Sequence, residues 1–260
     1  MLSVEQALQL VLDHAQPLAP RKMLAAEALG CVLGEDVISD VDSPPHNKSI
    51  VDGYAVQAAS CPAPGAVLQV VEEITAGIVP SRSVEPATTS RIMTGAPIPE
   101  GADAVVMVEQ TAPAGEGRVQ IDAPTVKPGQ NIMRRASSLA RGQTVLQAGI
   151  RLRGIELGIL AEVGYQRVAA IPQSKALVIA TGNELVDFWQ KPAAGQIRNS
   201  NSLLLWGLAT QAGAFAGQHG IARDEAAELR TKIATGLNNH VLLLSGGVSA
   251  GVLDLVPQVL

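Results

Sequence analysis

Between Lys175 and Ser245, three short apolar runs (KALVIAT, the weaker AFAGQHGIA, and HVLLLS) alternate with two helix-patterned segments, SLLLWGLATQAG and DEAAELRTKIATGLN. This alternation constrains the fold more than any other feature of the chain. A strand buried on both faces reads as a continuous apolar run, and strands separated by helices pair in parallel through crossover connections. Residues 174–260 are therefore expected to form an α/β domain around a mostly parallel sheet with right-handed crossovers. Acidic residues open the second helix, as its dipole favours, and Gly213 closes the first.

The preceding chain has a different texture. Ser3 and Gln6 form a capping-box pattern, and Val4, Ala7, Leu8, Val11 and Leu12 recur at helical spacing. A second helix is predicted from Pro20 through RKMLAAEAL to Gly30, followed by strand-like CVLGEDVIS and a proline-stiffened loop, DSPPHNKS. From about residue 50 to 135, short β-branched runs (GAVLQVVEEI, ADAVVMVEQ, GRVQID) are separated by glycine and proline clusters, the pattern of a β domain. GIELGILAEVG is again helical. The reading is an α/β and β multidomain chain: a helical and linker N-terminal domain at 1–45 plus 137–173, a β-rich domain at 46–136, and a partial α/β domain at 174–260.

Composition removes several functions. The net charge is −5 and aromatic residues make up 2% of the chain, so there is neither a basic footprint for nucleic acid or anionic membrane nor a platform for stacking bases. Cys31 and Cys61 lack CxxC spacing, and His14, His46, His219 and His240 are scattered, which leaves a zinc site without its ligand pattern. No run of about 18 apolar residues is present. The expectation is a soluble cytoplasmic protein.

In an open parallel sheet, ligands bind beyond the carboxyl ends of the strands. Three stretches fall there: Thr181, Gly182, Asn183 and Glu184 in TGNEL; Asp224 in ARDE; and Ser245, Gly246, Gly247 and Ser249 in SGGVSAG. Glycines let the backbone turn and expose consecutive N–H groups to a phosphate, and the serines add donors. A plain glycine turn linking strand to helix explains the last stretch equally well. Asp224 and Asp254 could share a Mg²⁺ that bridges phosphate oxygens, or each could be an N-cap or surface carboxylate. Asp52 and Thr94, each preceding a glycine, read most simply as turn residues.

RIMTGAPIPEGADAVVMVEQ, VKPGQNI, TGNEL, GQIRNSNS and SGGVSAG, taken together and in this order, resemble the molybdopterin molybdenumtransferase family, which includes the E domain of gephyrin. The resemblance spans nearly the whole chain. It implies that residues 174–260 are part of a three-layer molybdopterin-binding domain in an enzyme of molybdenum cofactor biosynthesis. Such an enzyme takes adenylylated molybdopterin and molybdate, needs Mg²⁺, and releases AMP. It also implies a homodimer, with other cofactor-biosynthesis proteins as possible partners. Carried over by motif, Asp224, Ser249 and Asp254 would sit at the pyrophosphate and Mg²⁺, and Glu184 would line the same cleft. Asp52 and Thr94 would approach from the partner subunit.

Two departures reduce negative charge. Ala136-Ser137-Ser138 stands where the family usually has Gly-Glu-Asp, and Asn47-Lys48 where it usually has Asp-Asn. Typical members also continue well beyond Leu260, through loops that help bind molybdate. The alternative function is therefore a catalytically deficient dimerising or pterin-binding module. The LDLVPQVL segment is expected to be a short helix interrupted by Pro257.

Overall fold

The first element, α1 (Val4–His14), starts as its capping-box pattern predicts: the Ser3 hydroxyl accepts from the Gln6 N–H at 3.2 Å, and the Gln6 side chain accepts from the Ser3 N–H at 2.9 Å. In this computed structural model, which describes residues 2–247 and 255–260, no α1 side chain is buried. The helix predicted over Pro20–Gly30 is not formed. In its place are strand β1 (Arg21–Leu24), a single 3₁₀ turn at Ala25–Glu27, and strand β2 (Val32–Leu33). The alanine-rich run has good helix propensity, but packing against distant chain overrides it.

Residues 37–146 form one unit by themselves. Their strands are β3 (Val37–Ile38), β4 (Lys48–Ser49), β5 (Gly53–Val56), β6 (Ala66–Ile74), β7 (Thr88–Ile92), β8 (Ala104–Met107), β9 (Thr111–Pro113), β10 (Arg118–Ile121), β11 (Ile132–Met133) and β12 (Thr144–Leu146). Six of them make a mixed sheet in the order β8-β5-β7-β6-β10-β9, with β6 and β7 parallel and the other pairs antiparallel. Both faces are covered. Val56, Leu68, Ala104, Val106, Val119 and Ile121 form one core, and Ala55, Ile74, Ile92, Ala96 and Val105 form another. Neighbouring residues of β8 thus enter opposite cores, which is why AVVM reads as an unbroken apolar run. Gly53 is required here, because a β-carbon would collide with the Val106 carbonyl of the paired strand.

The second unit joins Met1–Asp36 to Gln147–Leu260. After α2 (Gly154–Glu162), β13 (Arg167–Ile171) pairs antiparallel with both β1 and β2. The remaining elements are β14 (Lys175–Thr181), β15 (Leu185–Val186), β16 (Ile197–Arg198), α3 (Asn201–Gln211), β17 (Phe215–Ala222), α4 (Ala226–Gly236), β18 (Val241–Ser245) and α5 (Val256–Val259). The expected parallel sheet is present in the order β17-β14-β18. Ile179, Ala222, Leu229 and Val256 form its core with α4 and α5. Pro257 falls in the first turn of α5, where a missing N–H costs nothing, so it does not interrupt that helix. The chain is therefore mixed α/β with a β-rich part. Among the described residues no helix is long and apolar enough to cross a membrane.

α2 begins with a tight ionic clasp. Glu156 accepts the Arg153 N–H at 2.8 Å and its guanidinium at 2.6 Å. Arg153's side-chain bonds are the main cause holding the Glu156 carboxyl down, from 4.5 to about 2, while burial opposes them. A carboxyl depressed in the folded state contributes stability that is complete above its unfolded value and is lost as pH falls. Glu156→Gln is expected to lower Tm at pH 7, and the difference from the parent should shrink as pH drops from about 4.5 toward about 2. Thermal melts of both proteins across that range check this; a gap that stays constant would contradict it.

Candidate functional site

At the carboxyl end of the parallel sheet, Thr181, Glu184, Asn199, Asn201, Ser245 and Gly246 line a cleft of about 280 Å³. Thr181 ends β14 and Ser245 ends β18, so the two strand ends expected to meet there do so. The amino end of α3 completes the wall. Asn199, just before the N-cap Ser200, holds the first turn of that helix: its Oδ1 accepts the Ser202 N–H at 3.1 Å, and its amide donates to the Ser202 hydroxyl at 2.9 Å. Asn201 then crosses the cleft, donating to Ser245 Oγ at 3.1 Å. A helix start aimed at a cleft supplies free N–H groups and the positive end of its dipole.

The glycines have steric reasons to be there. Gly246 and Gly247 hold φ at +92° and +58°. A β-carbon on Gly246 would collide with the Thr181 carbonyl, and one on Gly247 would stand 2.7 Å from Thr181 Oγ1. The turn wraps closely around Thr181, which is 1% exposed and whose hydroxyl has no partner among the described residues. An unsatisfied buried hydroxyl is costly. Here it lies at the floor of a polar cleft, where a ligand oxygen could satisfy it.

Glu184 is held in place by its loop. Gly182, at φ +145°, leaves the Glu184 carboxylate room where a β-carbon would stand 2.5 Å from Oε2. Arg223 donates to the carbonyls of Asn183 and Leu185, both at 3.1 Å. Asp224 and Asn183 exchange bonds: Asp224 Oδ2 accepts the Asn183 N–H at 3.1 Å, and Asn183 Oδ1 accepts the Asp224 N–H at 3.2 Å. Asp224 precedes the N-cap of α4, which is Glu225. Its second carboxylate oxygen accepts no hydrogen bond among the described residues. Ser249 and Asp254, the other half of the expected phosphate and Mg²⁺ site, lie outside the described residues. Among the described residues no group of three or more His, Cys, Asp or Glu side chains is arranged to hold a metal. One or two carboxylates nevertheless suit Mg²⁺ when substrate phosphates complete its shell.

Asp52 and Thr94 belong to the β-rich unit and are joined to each other. Asp52 Oδ1 accepts both the Thr94 hydroxyl at 2.7 Å and the Thr94 N–H at 2.6 Å. The hydroxyl first, then the N–H, hold the exposed Asp52 carboxyl below its ordinary range, with Arg91 adding attraction and desolvation opposing. The turn role is thus real. In the same unit, Ala136 holds φ +59°, a left-handed conformation where the family resemblance places glycine. Its N–H bonds the Pro44 carbonyl at 3.0 Å, and Asn47 Oδ1 accepts the Arg135 N–H at 2.9 Å. The local turn persists with neutral side chains in the two places where carboxylates were expected.

Sequence reasoning missed Asn199, Asn201 and Arg223 as site residues. Asn and Ser immediately before an apolar helix are an N-cap signal that could have placed the first two. Arg223 acts through the backbone carbonyls of Gly182, Asn183 and Leu185, which leave no trace in sequence.

Residues 2–164 match the family model described as the MoeA N-terminal region (domain I and II), and residues 177–260 match a probable molybdopterin binding domain. The chain is 34% identical to molybdopterin molybdenumtransferase 2 of Mycobacterium tuberculosis, over 98% of the chain and 64% of that relative. It is 32% identical to a molybdopterin molybdenumtransferase of Staphylococcus epidermidis, over 99% of the chain and 62% of the relative. A crystal structure of the MoeA molybdopterin biosynthesis protein from Pyrococcus horikoshii OT3 superposes with a TM-score of 0.80 at 30% identity, covering 93% of this chain and 65% of that one. The chain spans a little under two thirds of the length of these relatives.

Thr181→Val tests whether the orphan hydroxyl serves the fold. Valine fills the same volume without a polar atom, so removing an unsatisfied group is expected to leave stability unchanged or raise it by about 1 kcal/mol. Denaturant titration of the ligand-free protein reads this; a clear loss of stability would mean that the hydroxyl has a structural partner.

Proposed function

The chain belongs to the MoeA family, and from that premise we propose that it acts in molybdenum cofactor biosynthesis, inserting molybdate into adenylylated molybdopterin with release of AMP. The observation that carries this reading is the cleft at the sheet's carboxyl end, with the buried Thr181 hydroxyl unpaired at its floor. The α3 start and the Ser245-Gly246 turn would hold the pyrophosphate, and Glu184 would face the reacting end. Asp224, with Asp254, would hold Mg²⁺, which would supply charge neutralisation to the phosphates when bound. Asp52 and Thr94 would approach from a partner subunit, and the setting would be the cytoplasm.

A second reading, binding without turnover, draws on Ala136-Ser137-Ser138 and Asn47-Lys48, which stand where carboxylates were expected. Calorimetry with adenylylated molybdopterin, followed by an AMP-release assay with molybdate and Mg²⁺, separates the two. The enzyme reading expects binding that Thr181→Val weakens by about tenfold, the scale of one hydrogen bond to a charged group, and AMP release that Asp224→Ala suppresses. Binding without AMP release supports the second reading, and no binding sinks both.

The homodimer is proposed on α1. Val4, Leu8, Val11 and Leu12 are all more than half exposed at helical spacing, an apolar stripe that a second copy would cover. Light scattering is expected to give a dimer at micromolar concentration and a shift toward monomer for Leu8→Glu with Val11→Glu. An unshifted mass in that double variant would remove α1 from the interface.

A further inference from the structure

A second cleft, of about 470 Å³, lies in the same unit at the amino ends of the parallel strands. Leu18, Ile171 and Pro172 line it, facing Ala209, Val241 and Leu243. Its position separates it from the candidate site: Ala176 and Val241 line this cleft, whereas Thr181 and Ser245 line the other. With β14 seven residues long, the two ends of the sheet stand about 20 Å apart.

Among the described residues, Arg151 is the only charged side chain lining this second cleft. Two glycines leave room for its guanidinium. A β-carbon on Gly213 would stand 3.2 Å from it and one on Gly30 3.9 Å, and both glycines hold left-handed φ values of +97° and +79°. The Gln173 side-chain amide nitrogen lies beside them, 2.7 Å from where a Gly30 β-carbon would be. Among the described residues, Arg151 makes no ion pair and its side chain donates no hydrogen bond. Arg151 is exposed at the cleft's border, beside apolar walls that favour a hydrocarbon body, and its planar fork matches a carboxylate. The cleft volume falls in the range of small-molecule sites. In a chain of net charge −5, a cleft whose one charge is positive is complementary to an anion.

We propose that this cleft binds a small organic anion with an apolar body and one carboxylate. The carboxylate pairs with Arg151 beside the Gln173 amide, and the body lies between Ile171 and Leu243. This assignment does not rest on the reading of the candidate site, and it needs no chemistry beyond binding.

Octanoate is the probe, with octan-1-ol and octylammonium as neutral and cationic controls, titrated into the full chain by calorimetry. Octanoate is expected to bind at least about tenfold more tightly than either control, the scale of a charge-assisted fork. Arg151→Gln should remove that preference while leaving octan-1-ol binding unchanged; Arg151 is exposed, so the variant should keep the parent circular dichroism and Tm. Ala209→Leu, which narrows the cleft, should weaken octanoate and octan-1-ol together. Equal affinity for octanoate and octan-1-ol would overturn the proposal, as would an Arg151→Gln variant that keeps the preference. Failure of octanoate to bind, together with a change of sedimentation in Arg151→Gln, would overturn it in favour of a second copy covering the cleft.

Discussion

The two-sided pairing of β14 is the constraint on which the α/β part depends. Flanked in parallel by β17 and β18, it has no exposed edge, and Val178, Ile179, Ala180 and Thr181 are all buried. A strand in that position is apolar where it is paired on both sides, and Ala176 to Ala180 are. Its partners start and stop where it does. The Lys175 N–H donates to His240 Nδ1 at 2.8 Å, and the Lys175 carbonyl accepts the His240 N–H at 3.0 Å. At the other end, the Gly182 N–H donates to the Ala222 carbonyl at 3.1 Å. Both clefts follow from this register, one at each end of the same strand.

The carboxyl end is polar because the pairing runs out there, leaving Thr181, Ser245 and the TGNEL loop to satisfy their groups with side chains. Arg223 and the Asn183–Asp224 exchange do this for the loop, and Asn199 does it for α3. At this end of the sheet, the buried hydroxyl left unsatisfied among the described residues is that of Thr181, enclosed by two glycines that admit no side chain between it and the turn. Buried polar groups without partners are rare because they are costly. In a polar cleft, a ligand oxygen could supply the missing partner.

How much of this was legible in sequence depended on whether the signal was local. The parallel sheet was, because continuous apolar runs and interposed helices each declare themselves within ten or so residues. Thr181, Glu184, Ser245 and Gly246 were legible as strand-end residues, and the structure brings them to one cleft. The segment at Arg21–Leu24 was not. Its partner, Arg167–Ala170, lies far away in sequence, and the four paired residues outweigh a local preference for helix. Arg223 and Asn201 were missed for the same reason: each acts on groups some forty residues distant.

The Asp52–Thr94 pair belongs to a different kind of constraint. Gly53 admits no β-carbon because of the Val106 carbonyl, so Asp52 is fixed at the start of β5 by the register of β5 with β8. The Asp52 carbonyl accepts the Val108 N–H at 3.0 Å, which ties its backbone to the far end of β8. Only its carboxylate is free to choose a partner, and it takes two donors from Thr94 while staying exposed. A carboxylate held ionised by neutral donors, on a backbone that cannot shift, is preorganised in charge and in place. That is also what a turn residue needs, so the pair satisfies its structural role without spending its exposed oxygen, Oδ2, which accepts no described hydrogen bond. The turn role therefore fixes the position of Asp52 and still leaves its carboxylate exposed.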